Sequence, residues 1–122
     1  MKVLIAEDES MTLKILSIKI QKDGYEVIPA GDGKEAMEYL DNNCCPDLVI
    51  TDIMMPFYSG LEIVEKIRRE HGAKIPIIVL SALGQEKALE EAFSLGANDY
   101  ITKPFSPNEL SIRVKRLIGS EA

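Results

Sequence analysis

Apolar residues in this 122-residue chain fall into two alternating rhythms. Short runs rich in β-branched residues, Val3-Leu4-Ile5-Ala6, Leu48-Val49-Ile50-Thr51, Ile77-Ile78-Val79-Leu80 and Tyr100-Ile101-Thr102, show no polar alternation. Such runs predict strands covered on both faces, as in a parallel sheet. Between them the apolar spacing becomes helical. A strand over Lys2–Ala6 leads to a helix over Met11–Asp23, in which Met11, Ile15 and Ile18, with Leu16 and Ile20, recur at helical spacing. Ser10 is its expected N-cap, and Gly24 closes it. Tyr25–Pro29 reads as a short strand, Gly31-Asp32-Gly33 as a turn, and Lys34–Asn42 as a helix with Ala36, Met37 and Leu40 inward. After Pro46 comes a strand over Asp47–Thr51. After Pro56 and Gly60 comes a helix over Leu61–His71 carrying Leu61, Ile63, Val64 and Ile67. Pro76 precedes the strand Ile77–Leu80, and a helix over Gln85–Leu95 is stopped by Gly96. A strand over Asp99–Thr102 and a helix over Pro107–Ile118, with Ser106 as cap and proline at its first position, complete the order.

Five strand–helix units in series, joined by right-handed crossovers, predict an α/β fold: one doubly wound five-stranded parallel sheet with five helices on its two faces. Residues 1–122 read as one domain, without linker, repeat or low-complexity segment. The 46% hydrophobic and 28% charged content is that of an ordinary globular domain with a packed core. A net charge of −6 argues against non-specific binding to nucleic acid or an anionic membrane. No apolar stretch approaches the roughly 20 residues of a membrane span, and the start MKVLIAEDES lacks the features of a signal peptide. Cys44 and Cys45 are adjacent, which disfavours a mutual disulfide, and there is no CxxC. Both read as free thiols in a cytoplasmic protein.

Each apolar run ends in a polar residue: Glu7-Asp8, Asp52, Ser81 and Lys103-Pro104. In an open parallel sheet the carboxyl ends of the strands share one edge, where ligand sites form. Three acids, a hydroxyl and a lysine gathered there suit a phosphoryl group carried on a carboxylate. Asp52 is the candidate acceptor, since a carboxylate is a competent nucleophile toward phosphorus. Glu7 and Asp8 suit a hard divalent cation, which takes few carboxylates and retains waters and a phosphate oxygen. Lys103 supplies a fixed positive charge and Ser81 a hydroxyl for the phosphoryl oxygens. Tyr100 lies near the same edge and is placed to fill space that Ser81 vacates. Singly, each residue has a plainer explanation. The acids favour the helix N-terminus that follows, Asp52 suits a turn, Ser81 a cap, Lys103 the solvent and Tyr100 the core. His71 belongs to the end of its helix rather than to catalysis. The joint placement on four strand ends decides for phosphoryl chemistry.

With these residues in place the chain resembles the receiver domains of two-component response regulators, from Met1 to about Gly119. The resemblance rests on Glu7-Asp8, Asp52-Ile53-Met54-Met55-Pro56 followed by Gly60, Ser81-Ala82, and the segment Gly96-Ala97-Asn98-Asp99-Tyr100-Ile101-Thr102-Lys103-Pro104-Phe105. It implies the flavodoxin-like strand order 2-1-3-4-5. It also implies phosphorylation of Asp52 by a histidine kinase or a His-phosphotransfer protein. Asp8, Asp52 and the backbone carbonyl of Met54 become ligands of Mg²⁺ (or Mn²⁺), and Glu7 acts largely through water. Ser81 and Tyr100 become a switch pair, Lys103 the phosphate-binding cation, and Lys103-Pro104 a cis peptide. No external substrate is turned over, and the domain itself binds neither nucleic acid nor membrane.

Some positions depart from the family pattern. Glu7 stands where Asp is commoner, which lengthens the reach to the metal, and Ser59 stands where an acid is usual, a loop change. Met54 and Leu83 are apolar beside the path of attacking water, so the phosphorylated state is expected to be long-lived. The resemblance further implies a homodimer through the fourth helix, fifth strand and fifth helix, with Asp99 and Arg113 paired across the interface. Glu109 then seeks a basic partner, but the expected place holds Leu89, followed by Glu90 and Glu91, with Lys87 the nearest substitute. The rival readings are weaker. A flavin-binding fold-mate would need a Gly-rich loop where this chain has Glu7-Asp8-Glu9-Ser10, and an aspartyl-phosphate hydrolase would carry its nucleophile after the first strand with a second Asp two residues on, which Asp8-Glu9-Ser10 does not match. A phosphorylation-independent adaptor receiver usually lacks one of the five key residues, and this chain lacks none.

Overall fold

The strand-like segments form β1 (Lys2–Ala6), β2 (Glu26–Ala30), β3 (Leu48–Asp52), β4 (Ile77–Ser81) and β5 (Asp99–Thr102). The segments with helical spacing form α1 (Ser10–Lys22), α2 (Gly33–Asn42), α3 (Gly60–His71), α4 (Glu86–Leu95) and α5 (Pro107–Ile118). The computed structural model describes residues 1–42 and 45–119. Cys44 lies outside them, and Cys45 is an exposed free thiol. The strands are all parallel in the order β2-β1-β3-β4-β5, the predicted doubly wound sheet.

Successive residues of a strand face opposite sides, so two cores form. On one face Leu4, Ala6, Val49, Ile77 and Val79 pack with Ala36 of α2, Ile63, Val64 and Ile67 of α3, and Ala92 of α4. On the other, Val3, Ile5, Leu48, Ile50, Ile78, Leu80 and Ile101 pack with Leu16 and Ile20 of α1 and Leu110 and Val114 of α5. All five residues of β3 and of β4 are buried, which is why those two runs carry no polar alternation.

Local chemistry moves several boundaries. Ser10 is the first residue of α1 rather than its cap. Glu9 is extended (φ −88°, ψ 109°) and its carboxylate accepts the Thr12 N–H at 2.7 Å. A carboxylate there also meets the positive end of the helix dipole. Ser59, read as a loop change, is the N-cap of α3. Its hydroxyl accepts from Glu62 N–H while the Glu62 carboxylate accepts from Ser59 N–H, closing a capping box. Gly96 ends α4 in the left-handed region at φ 118°. The strands β3 and β4 each run one residue past the apolar stretch, so Asp52 and Ser81 are held on the ladder itself. Of the two apolar stripes on α1, Leu16 and Ile20 are buried, whereas Met11, Ile15 and Ile18 are exposed.

Candidate functional site

The four strand ends converge as their order requires. Asp52, last in β3, pairs in register with Leu80, and Ser81, last in β4, with Thr102. Glu7 follows β1 directly, and its N–H continues the ladder to Ala30 O at 3.0 Å. Lys103 follows β5, its N–H donating to Ser81 O at 2.7 Å, and the Lys103–Pro104 peptide is cis as expected. Gly60 opens α3 hard against the end of β3. Its N–H donates to Ile53 O at 2.7 Å, and a Cβ there would stand 2.0 Å from the Asp52 carbonyl oxygen. Only glycine permits that approach.

Glu7 is fully buried and Asp52 is 4% exposed, so two carboxylates lie side by side out of water. The Lys103 ammonium joins them, 2.7 Å from Glu7 Oε1 and 2.9 Å from Asp52 Oδ1. The first contact is a hydrogen bond. The second is an ion-pair distance without hydrogen-bond alignment, so the buried Asp52 Oδ1 accepts no hydrogen bond. The second Glu7 oxygen accepts the Glu9 N–H at 3.0 Å.

Burial pushes the Asp52 carboxyl up, and the neighbouring Glu7 carboxylate pushes it further, to about 8 despite Lys103. Burial raises Glu7 too, but its hydrogen bonds with Asp52, Lys103 and the Glu9 N–H outweigh that and hold it below its ordinary value. For Lys103, burial favours the neutral amine, yet the two carboxylates win and raise it.

Asp8 is exposed at the mouth. One carboxylate oxygen from each of Glu7, Asp8 and Asp52 lies within 4.8 Å of the others, so the three could hold a metal ion. Three acids against one lysine leave the cluster short of positive charge. The unbonded Asp52 Oδ1 offers a ligand atom, and an all-oxygen donor set suits a hard divalent cation. The pocket above Asp52 has a volume of about 90 Å³ and is lined by Asp8, Asp52, Met54, Leu80, Ala82, Gln85 and Lys103. That is room for about three waters, suited to an ion and a phosphoryl group and far below the roughly 300 Å³ and more of organic-ligand pockets. A flavin does not fit it.

Ser81 is buried, its hydroxyl 3.4 Å from that of Thr102. Tyr100 is not behind Ser81. It is 41% exposed, its ring edge-on to Phe93 with centroids 5.8 Å apart. Arg113 pairs with Asp99 of its own chain at 2.7 Å and also donates to Tyr100 O at 2.8 Å. Glu109 stands 4.0 Å from Arg113 on the same helix, and Leu89 is half-buried against the core. His71 ends α3 with Cys45 Sγ 3.2 Å from its Nδ1, away from this edge.

Sequence reasoning missed Gln85 and Thr102. Gln85 had been read only as a helix start, yet its carboxamide oxygen reaches back to accept the Ala82 N–H at 2.7 Å. A long polar side chain four residues beyond a strand-end serine was the available signal.

The response regulator receiver domain model matches residues 3–115. The chain belongs to the response regulator receiver domain family. The receiver domain is 44% identical over 114 residues to the probable transcriptional regulator ycf27 of Galdieria sulphuraria, covering 93% of this chain and 44% of that protein. It is 37% identical over 117 residues to the alkaline phosphatase synthesis transcriptional regulatory protein PhoP of Bacillus subtilis, covering 96% and 48%. This chain therefore spans about half the length of such relatives. Among solved structures, the receiver domain of the Francisella response regulator 1452 superposes with a TM-score of 0.84 at 36% identity, covering 95% and 94% of the two chains. The chemotaxis response regulator CheY4 of Vibrio cholerae gives 0.85 at 32%, covering 96% and 98%. Among the described residues no helix is long and apolar enough to cross a membrane.

Proposed function

We propose that residues 1–122 act as a phosphoacceptor module in which Asp52 takes a phosphoryl group from a phosphohistidine of a sensor kinase or His-phosphotransfer protein. A carboxylate oxygen of Asp52 attacks phosphorus. The P–O bond forms as the P–N bond breaks, and the electron pair leaves on the donor imidazole, which takes up a proton. Lys103, within 2.9 Å of Asp52 Oδ1, meets one phosphoryl oxygen, and the Ser81 hydroxyl turns from Thr102 toward a second. Glu7, Asp8, Asp52 and the Met54 carbonyl would hold Mg²⁺ or Mn²⁺. When bound, that ion supplies positive charge that lets an anionic donor approach an anionic acceptor. The phosphoryl group stays on the chain's own Asp52, so no external substrate is turned over.

The observation that carries this reading is the pair of buried carboxylates, Glu7 and Asp52, joined by the half-buried Lys103, with an Asp52 oxygen that accepts no hydrogen bond. Such an arrangement has a use for an incoming cation and phosphoryl group and little as a structural ion pair. Met11, Ile15 and Ile18 flank a surface cleft lined by Thr12, Ile15, Lys103, Pro104, Phe105 and Pro107, next to the mouth. That apolar surface suits the helical donor protein. The face of α4, β5 and α5 would report the modification to an output domain or partner, or to a second copy of the chain, with Ser81 and Tyr100 as the switch pair.

The test is incubation with acetyl phosphate and Mg²⁺ followed by intact mass. A single phosphoryl adduct, absent from Asp52→Asn and lost on chelation of the metal, is expected. A folded wild-type chain that takes no adduct overturns the reading.

A further inference from the structure

The donors around the Asp52 pocket are few. Lys103 is shared between two carboxylates, and Ser81 lies 3.4 Å from Thr102. Ala82, next after the strand end, lines the same pocket, and its backbone N–H is taken by Gln85 Oε1 at 2.7 Å. Gln85 occupies the N-cap position of α4, but its side chain makes no cap hydrogen bond to that helix. Its oxygen is directed instead at the backbone N–H next after Ser81. The carboxamide is neutral, so it brings no charge to the mouth of a pocket that receives an anion.

We infer that Gln85 is a placeholder for the phosphoryl group: its carboxamide oxygen holds the Ala82 N–H that a phosphoryl oxygen on Asp52 claims, so modification displaces Gln85 and frees the first turn of α4. This rests on Asp52 being the acceptor. A terminal phosphoryl oxygen carries more negative charge than an amide oxygen and is the stronger acceptor. Once modified, Asp52 therefore wins the exchange, and the lost contact is the side-chain one between the start of α4 and the end of β4; the Gln85 N–H still donates to Ala82 O at 3.3 Å. Gln85 acts through Ala82 and is a positioning residue.

The experiment titrates the full chain with beryllium fluoride and Mg²⁺, a non-covalent phosphoryl mimic, and follows backbone amide resonances. In the wild type the Ala82 amide and those of Glu86–Leu95 shift together on binding. Gln85→Ala removes the competitor and tightens binding of the mimic about 5-fold, the equivalent of one ordinary hydrogen bond. In that variant the α4 amides begin near the positions that the wild type reaches only when bound. Gln85→Glu keeps an acceptor on Ala82 but adds charge. It weakens binding, and the weakening shrinks as salt is raised.

A side chain that only braced the turn would lower stability in Gln85→Ala and leave affinity unchanged; that result, or weaker binding by the alanine variant, overturns the inference. A wild type that neither binds the mimic nor takes a phosphoryl adduct would instead sink the acceptor assignment of Asp52.

Discussion

Replacing Asp52 by asparagine should stabilise the metal-free protein, and the gain should grow with pH. Asp52 is 4% exposed and its carboxyl is raised from 3.8 to about 8, first by burial and then by Glu7. An acid raised in the fold binds more protons in the native than in the unfolded state between those two values. Stability must therefore fall as pH rises from about 4 to about 8. At about 1.4 kcal/mol per pH unit the cost has a ceiling of ~6 kcal/mol. Glu7, held below its ordinary value, works in the opposite direction and reduces the sum. An asparagine is neutral throughout and can donate to the Glu7 carboxylate. The expected gain is about 2–4 kcal/mol at pH 8, shrinking toward zero near pH 4.5.

The assay is urea unfolding of chelator-treated protein by far-UV circular dichroism at several pH values, for wild type and Asp52→Asn. The wild-type curve should slope downward with pH and the variant's should be flatter. Millimolar Mg²⁺ at pH 8 should restore the wild type by about 1–3 kcal/mol through preferential binding to the native state and affect the variant less. Parallel pH curves would falsify the argument that the raised Asp52 carboxyl sets the stability of this edge.

Four other perturbations test neighbouring parts of the site. Lys103→Met leaves Glu7 buried without its cation and should destabilise by about 3 kcal/mol at pH 8, less at pH 5, with adduct formation from acetyl phosphate slowed at least ~30-fold; unchanged transfer would remove Lys103 from the chemistry. Gly60→Ala sets a methyl group 2.0 Å from the Asp52 carbonyl oxygen and should cost about 2–4 kcal/mol, read by the same unfolding assay. Met54 lines the pocket and is 57% exposed, so Met54→Asn should admit and orient water and shorten the phosphoryl lifetime several-fold, measured by loss of the mass adduct. Ile15→Glu should leave acetyl phosphate labelling within about 2-fold yet slow transfer from a phosphohistidine protein by ~10-fold or more; equal effects on both donors would refute docking on α1.

The sheet and its site edge were legible because the signals are local. A run such as Ile77–Leu80 without polar alternation shows double burial by itself, and the residue after each run names the chemistry of its end. Boundaries slipped where a side chain chose between equivalent roles. Glu9 outcompeted Ser10 for the Thr12 N–H, and Ser59 found Glu62 three residues on. The exposed stripe of α1 was illegible for a different reason. Helical spacing cannot tell Met11, Ile15 and Ile18 from Leu16 and Ile20 until the sheet fixes which side of the helix meets it.

The face proposed to report the modification depends wholly on tertiary placement. Tyr100 follows the alternation of β5 outward to Phe93, and Arg113 reaches Asp99 and Tyr100 O of its own chain. Those contacts matter because α4 carries few fully buried residues. In α3 five residues are buried, including Ile63, Val64 and Ile67, whereas α4 buries only Ala92 and lacks a side-chain cap hydrogen bond. Its Ala88, Leu89 and Leu95 pack half-buried against the core. The residue that precedes α4, Gln85, touches the pocket and Ala82, and the far end of the helix meets Tyr100 through Phe93. The proposed change of charge at Asp52 would therefore have α4 within reach, with Tyr100 at its other end.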